Sequence, residues 1–185
     1  MRLLGAVLAG GRSRRFGSDK AMALLDGYAL LDWATRALEE HVEQIVLCGR
    51  EGGLADRPAP DLGPLGGLNA AVHFGWSNGF DAVLSVPCDT PAIPTEAVTH
   101  LLAAEAPAYL SSCPVVGLWP CALYDRLDTY LCGEDRSMRG WANHIGATPL
   151  ATADRIANIN TSEDLDALTA MAWRTTPPTG SRTRD

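Results

Sequence analysis

The sequence predicts an α/β fold, three layers deep, with a mostly parallel sheet and helices on both faces. Three observations predict it. Apolar runs alternate with helical patterns along the chain, the order that builds parallel sheets. The runs Leu3 to Leu8, Gln44 to Cys48 and Ala82 to Val86 are continuously apolar or nearly so, as in strands covered on both faces. Two of them empty into loops rich in glycine and the third into a proline-flanked acid, and open parallel sheets keep their ligands at such strand ends. The length of 185 residues suits one domain over 1–173. Residues 174–185, mostly Thr, Pro, Arg and Gly, read as a disordered tail.

Each element follows from local pattern. Leu3 to Leu8 is the first strand, and a glycine loop follows it. Asp26-Gly27 makes a turn, and Tyr28 to His41 reads as a helix with Leu31, Ala34 and Leu38 on one face. Gln44 to Cys48 is the second strand. Gly49 to Leu62, with several Gly and Pro residues, is a loop. Leu65 to Trp76 is a helix entered at Gly63-Pro64, with proline near its first turn. Ala82 to Val86 is the third strand and ends at Pro87-Cys88-Asp89-Thr90-Pro91; Pro94 to Ala104 is helical. Ala108 to Ser111 and Val115 to Leu118 read as short strands, paired as a hairpin or set side by side. Ala122 to Leu131 and Ser137 to Ile145 are helical, and Ile156 to Ile159 is a last short strand. Thr161 caps a final helix that turns Leu165, Leu168 and Met171 to the core.

Composition excludes several function classes. A net charge of −7 argues against a nucleic-acid surface. No stretch is long and apolar enough to span a bilayer, so a soluble, cytoplasmic chain is expected. Cys48, Cys88, Cys113, Cys121 and Cys132 are odd in number and hold no C-x-x-C pair, which suits reduced thiols rather than disulfides or zinc. His41, His73, His100 and His144 show no ligand spacing, and no nucleophile–histidine pair can be assembled from the pattern.

The chemistry concentrates in the loop after the first strand. It holds Gly10, Gly11 and Gly17, and it carries Arg12, Arg14, Arg15 and Lys20 against one acid, Asp19. Glycine lets backbone N–H groups approach a ligand, and Arg and Lys neutralise phosphate. This basic loop on an acidic chain looks built for a polyphosphate. Its spacing matches neither the dinucleotide fingerprint nor the P-loop.

Other strand ends supply partners. Asp89, stiffened between Pro87 and Pro91, offers the single rigid carboxylate that a magnesium ion takes alongside phosphates and water. Alternatively it caps a turn. Gly63-Pro64-Leu65-Gly66-Gly67 opens a helix, where it can receive an anion or a flat ring, or simply pack closely. Asp56 and Asp61 in the preceding loop can contact ribose or base. Asn158 and Asn160 follow the last predicted strand. Arg136 and Arg139 flank a helix start within reach of an anion, and Trp119 can stack on a ring or cover the core edge.

Four motifs stand in register: Leu8-Ala9-Gly10-Gly11 through Asp19-Lys20, Gly63 to Gly67, Pro87 to Pro91, and Asn158-Ile159-Asn160-Thr161. In order and spacing they resemble the molybdenum cofactor guanylyltransferases, over residues 3 to about 170. The resemblance implies a Rossmann-like nucleotidyltransferase that joins GMP from GTP to the terminal phosphate of molybdenum-bound molybdopterin and releases pyrophosphate. It implies that Leu8, Ala9, Gly10, Gly11, Lys20, Asp56 and Asp89 hold the nucleotide, with Asp61 as the alternative to Asp56. It implies Mg2+ on Asp89, catalytic roles for Lys20, Asp89 and Arg15, and a pterin side formed by Arg15, Gly17, Gly67, Asn158 and Asn160. Molybdenum-insertion proteins and acceptor molybdoenzymes are the implied partners. Two departures from the family pattern stand out. Leu47-Cys48-Gly49 replaces an asparagine-bearing stretch, and Trp119-Pro120 stands where His-Pro or Gln-Pro is frequent. A cytidylyltransferase for the same cofactor, a sugar- or polyol-phosphate nucleotidyltransferase, and a non-catalytic nucleotide or pterin carrier are the competing readings.

Overall fold

The computed structural model describes residues 1–10, 19–91, 93–152, 156–159 and 161–170. Its central element is β1, Leu3–Leu8, buried along its whole length. The side chains of β1 alternate between two hydrophobic cores, as a pleated strand requires. Leu4, Ala6 and Leu8 face one core; Leu3 and Val7 face the other. Both faces are therefore covered, which is why the run is continuously apolar.

The chain next forms a small hairpin, β2 (Leu24–Leu25) and β3 (Tyr28–Ala29), around the expected Asp26-Gly27 turn. Helix α1 then runs Leu30–Glu39. The helix expected from Tyr28 to His41 is thus shorter at both ends. The hairpin takes Tyr28 and Ala29, and Asp32 Oδ2 accepts from Ala29 N–H to close the helix start. After α1 come β4, Gln44–Cys48, and α2, Pro64–Ser77. β5 spans Ala82–Pro87 and α3 spans Thr95–Ala103.

The main sheet has the order β4-β1-β5, then β7 (Cys113–Pro120), β6 (Ala108–Leu110) and β8 (Thr148–Leu150). β1 pairs in parallel with both β4 and β5. β7 runs antiparallel to β5 and β6, so the expected pair of middle strands is a hairpin. Two helices, α4 (Tyr124–Leu131) and α5 (Met138–Ile145), join α2 on one face. α1 and α3 cover the other. The three expected layers are present.

One expectation fails at the C-terminal end. Ile156 to Ile159 is not a strand; the sixth strand is β8, built from Thr148, Pro149 and Leu150 beside β6. Its residues are exposed or half-buried, which erased the apolar signal. Ile159 instead buries its side chain with Leu25, Leu30 and Trp33 in a third small core. Helix α6, Ser162–Ala170, follows. Thr161 Oγ1 accepts from Asp164 N–H and Asp164 Oδ2 accepts from Thr161 N–H, a reciprocal cap. Leu165 and Leu168 pack on the third core as expected; Met171 and the tail at 174–185 lie outside the described residues.

Besides their backbone ladder, β5 and β7 are joined through the buried Ser85 hydroxyl, which donates to the Val115 carbonyl. Ser85 Oγ accepts from Trp119 Nε1 at 2.9 Å, and both residues are fully buried. Trp119 also stacks on Tyr109, so it is a core residue and offers no exposed face to a ligand ring. Ser85→Ala strands the indole N–H in an apolar interior. It is expected to lower unfolding free energy by about 1–3 kcal/mol in urea titration, with a loss under half a kcal/mol overturning the account.

Candidate active site

The ends of β4, β1 and β5 meet at the site. The chain passes from β1 through α1 to β4 on one side, then through α2 to β5 on the other side of β1. Such a reversal opens a crevice at the carboxyl end of the central strand. Backbone bonds continue past the strands: Ala9 N–H donates to Cys48 O at 3.0 Å, and Cys88 N–H donates to Leu8 O at 3.2 Å. The chain leaving β1 is thereby tied to both neighbours. Gly10 then passes Gly49 so closely that a Cβ on Gly49, at φ +77°, would stand 2.6 Å from Gly10 Cα. Only glycine meets both demands at position 49.

Lys20 begins a single 3₁₀ turn, Lys20–Met22. Asp19 caps it, its Oδ1 accepting from Ala21 N–H at 3.1 Å. Lys20 Nζ reaches Asp89 Oδ2 at 2.9 Å, with the two side chains only 12% and 24% exposed. Partial burial weakens solvent screening, so this pair interacts more strongly than a surface pair. Thr90 Oγ1 donates to Asp89 Oδ1 at 3.3 Å. Asp89 O accepts from Ile159 N–H at 2.9 Å, which brings the backbone next to the exposed Asn158 to the Asp89 loop. Lys20 and Asp89 are therefore brought into contact from distant segments, with the 156–159 segment tied to the Asp89 backbone. Gly11, Arg15, Gly17 and Asn160 lie outside the described residues.

A cavity of about 710 Å³ opens on the β4 side of Gly10. Gly10, Gly49, Arg50, Asp56, Asp61 and Gly63 are among its walls. Its size falls in the range of about 300–1,000 Å³ common for small-molecule sites. Asp56 Oδ2 accepts from Leu62 N–H at 3.2 Å, while its Oδ1 is buried with no partner among the described residues. Burial pushes the Asp56 carboxyl up from its ordinary range; the Leu62 N–H opposes this and the Asp61 charge adds to it. Asp61 is exposed, at φ 61°. Of the two loop acids, Asp56 is the half-buried one.

Gly67 is buried in the first turns of α2, where a Cβ would stand 3.2 Å from Cys48 Cβ and 3.7 Å from Asp56 Oδ1. This is close packing behind the cavity wall, on the Asp56 side. Leu8 is buried, and its carbonyl is engaged by Cys88. Cys88 is buried as well; burial, with the Asp89 charge next, raises its thiol to about 11, so it stays protonated near neutral pH and is no nucleophile. Arg139 Nη2 donates to Ser111 O at 2.9 Å, and His73 Nε2 lies 2.8 Å from Asp128 Oδ2, so both serve the scaffold.

Arg50 was not among the residues expected from sequence. It lines the cavity, and its Nη2 donates to Asp19 Oδ2 at 3.0 Å. The signal was available: a cation just past a strand's carboxyl end, the same signal that singled out Lys20.

The donor set suits a magnesium ion. Asp89 is one half-buried carboxylate at a rigid strand end, and magnesium takes one or two carboxylates and completes its shell with phosphate oxygens and water. Among the described residues no three His, Cys, Asp or Glu cluster as a self-sufficient metal cage.

Residues 5–148 match the family described as MobA-like NTP transferase domain. The chain belongs to the MobA-like NTP transferase family. A molybdenum cofactor guanylyltransferase of Rhodobacter capsulatus is 35% identical over 180 residues, covering 89% of this chain and 94% of the relative. The one from Acidiphilium cryptum is 35% identical over 185 residues, covering 91% and 94%. Among solved structures, molybdopterin-guanine dinucleotide biosynthesis protein A of Archaeoglobus fulgidus is similar with a TM-score of 0.63 at 18% identity, covering 91% and 97%. A 2-C-methyl-D-erythritol 4-phosphate cytidylyltransferase of Thermus thermophilus is similar with a TM-score of 0.66 at 12% identity, covering 93% and 98%. At those identities the structures carry the fold alone. This MobA-like chain is a nucleotidyltransferase.

A carboxyl held above its unfolded value disfavours folding once pH exceeds the unfolded value, because the unfolded chain then holds fewer protons than the folded one. Asp56 stands in that position. Asp56→Asn is therefore expected to raise the melting temperature of the nucleotide-free protein at pH 7, with the gain shrinking as pH falls through the carboxylate range. A lower melting temperature at pH 7 would show that the Asp56 charge has a native partner.

Proposed function

We propose that this chain transfers GMP from GTP to the terminal phosphate of molybdenum-bound molybdopterin, releasing pyrophosphate and forming molybdopterin guanine dinucleotide. Residues 1–173 act as one nucleotidyltransferase unit in this reading. The observation that carries it is the Lys20–Asp89 pair at the crevice of the sheet, one glycine away from a nucleotide-sized cavity. The base enters the cavity, where the unpartnered Asp56 Oδ1 accepts from the N–H groups on the guanine edge. Gly10 lets the ribose and α-phosphate cross the strand end. The triphosphate then lies over Lys20, and the arginines that precede it in sequence supply further counter-charge.

The reaction asks little covalent chemistry of the protein. The attacking phosphate monoester is largely ionised near neutral pH, its second pKa being about 6, so no general base is needed. What remains is alignment and charge neutralisation. Lys20 Nζ exchanges Asp89 for phosphate oxygens when nucleotide arrives, and it neutralises charge that builds on the leaving pyrophosphate. Asp89 is the residue that would hold Mg2+, whose charge would stabilise the triphosphate when bound. In this reading Asn158 and Asn160, with Arg15 and Gly17, bind the pterin. Molybdenum-insertion proteins and acceptor molybdoenzymes are the partners this reading entails. The three buried thiols Cys48, Cys88 and Cys121 suit a reducing, cytoplasmic setting.

Calorimetric titration with GTP, CTP and ATP, each with magnesium, tests the nucleotide. Selective GTP binding supports the reading; preference for CTP moves the chain to cytidylyl transfer. Lys20→Ala is expected to cut pyrophosphate release by about 10²–10³-fold, the scale of losing a donor aimed at developing charge. Activity within a few fold of wild type removes Lys20 from the mechanism. Asp89→Ala is expected to abolish the magnesium dependence along with turnover.

A further inference from the structure

Arg50 sits between the cavity it lines and Asp19, the residue before Lys20. Its backbone is fixed by a tight turn: Gly53 N–H donates to Arg50 O at 3.1 Å, Leu54 N–H to Leu47 O at 2.7 Å, and Gly49 N–H to Leu54 O at 2.8 Å. Gly53 fits this turn because a Cβ there would collide with Leu47 O. The side chain leaves this turn and binds Asp19 through Nη2. Its Nη1 is buried and has no partner among the described residues. A buried guanidinium N–H without an acceptor is costly, and such groups in native proteins point to a missing partner. Asp56 lines the same cavity, and its Oδ1 is likewise buried without a partner among the described residues. Two residues of the cavity wall thus each leave one buried polar atom unmatched, and the wall also carries the acids Glu51 and Asp61.

We infer that Arg50 is a further nucleotide-binding residue, whose Nη1 donates to an acceptor oxygen of the bound nucleotide while Nη2 holds Asp19. The inference rests on the guanylyl-transfer reading. Guanidinium geometry allows the double duty, since its N–H groups form a planar fork that serves two acceptors at once. Asp19 adjoins Lys20 and caps its turn. The Arg50 contact therefore joins nucleotide in the cavity to the turn that carries Lys20. The acceptor is an oxygen of either the base carbonyl or a phosphate.

The test is calorimetric binding to the intact protein, wild type against Arg50→Gln, Arg50→Lys and Asp19→Asn, with the melting temperature of each measured without nucleotide. The ligands are GTP, guanosine, and 2-aminopurine riboside triphosphate, which lacks the carbonyl. Arg50→Gln is expected to weaken GTP by about tenfold to a hundredfold, the range for losing a charged hydrogen bond. Arg50→Lys keeps one charge but cannot fork, and it is expected to lose most of the same affinity. Asp19→Asn is expected to weaken GTP by less than about threefold. A loss shared by GTP and guanosine but absent with the 2-aminopurine nucleotide assigns the base carbonyl. A loss shared by both triphosphates but absent with guanosine assigns a phosphate. GTP affinity within twofold of wild type in a folded Arg50→Gln protein overturns the inference. So does an Asp19→Asn loss as large as that of Arg50→Gln, which would reduce Arg50 to anchoring the loop. Wild type that binds no GTP overturns the guanylyl-transfer reading instead.

Discussion

The position of β1 between two parallel neighbours governs everything else in this molecule. Because β4 lies on one side and β5 on the other, the chain leaving β1 has a strand end at each flank. Three segments are forced into one crevice: Ala9 and Gly10 leaving β1, the turn that carries Arg50 and Asp56, and the proline-flanked Asp89. Hydrogen bonds from Ala9 to Cys48 and from Cys88 to Leu8 hold them in register beyond the strands themselves. The covered faces of β1 supply the rigidity. Both cores draw on this strand, so it cannot shift without disturbing helices on both sides.

The crevice is divided by chemistry. On the β5 side, opposite charges stand in contact at Lys20 and Asp89. On the β4 side, the polar atoms Arg50 Nη1 and Asp56 Oδ1 are buried without partners among the described residues. A neutralised pair is a stable resting state for groups that must later face phosphate. Unpaired groups store unfavourable energy that a ligand relieves, as local polar strain does at functional sites. Gly10 and Gly49 form the seam between the halves, since no side chain fits at their contact.

Departures from sequence expectation have a common origin. Where an element buries most of its residues its pattern survives in the sequence: β1, β5 and α2 lie where expected, and the edge strand β4 keeps its apolar run because it packs against both cores. Elements with little burial leave no such pattern. β8 is an edge strand with little burial and a proline, so no apolar run announces it. Residues 156–159 are apolar enough to suggest a strand, yet Ile159 spends that apolarity on a small core with Trp33 while its backbone serves Asp89. The N-terminal end of α1 was lost to a two-residue hairpin whose pairing no helical pattern records.

For the site, the sequence by itself determined the residue types and their order: glycines and cations after the first strand, a stiffened carboxylate after the third, acids before a proline-opened helix. These are local properties, set by backbone freedom and charge. Only the tertiary structure decided which of them meet. It paired Lys20 with Asp89 across 69 positions of chain. It turned Asp56 inward and left Asp61 exposed, withdrew Trp119 and Cys88 into the core, and set Arg50 against Asp19. Those outcomes depend on strand order and on the burial of particular atoms. Distance along a chain carries no information about either.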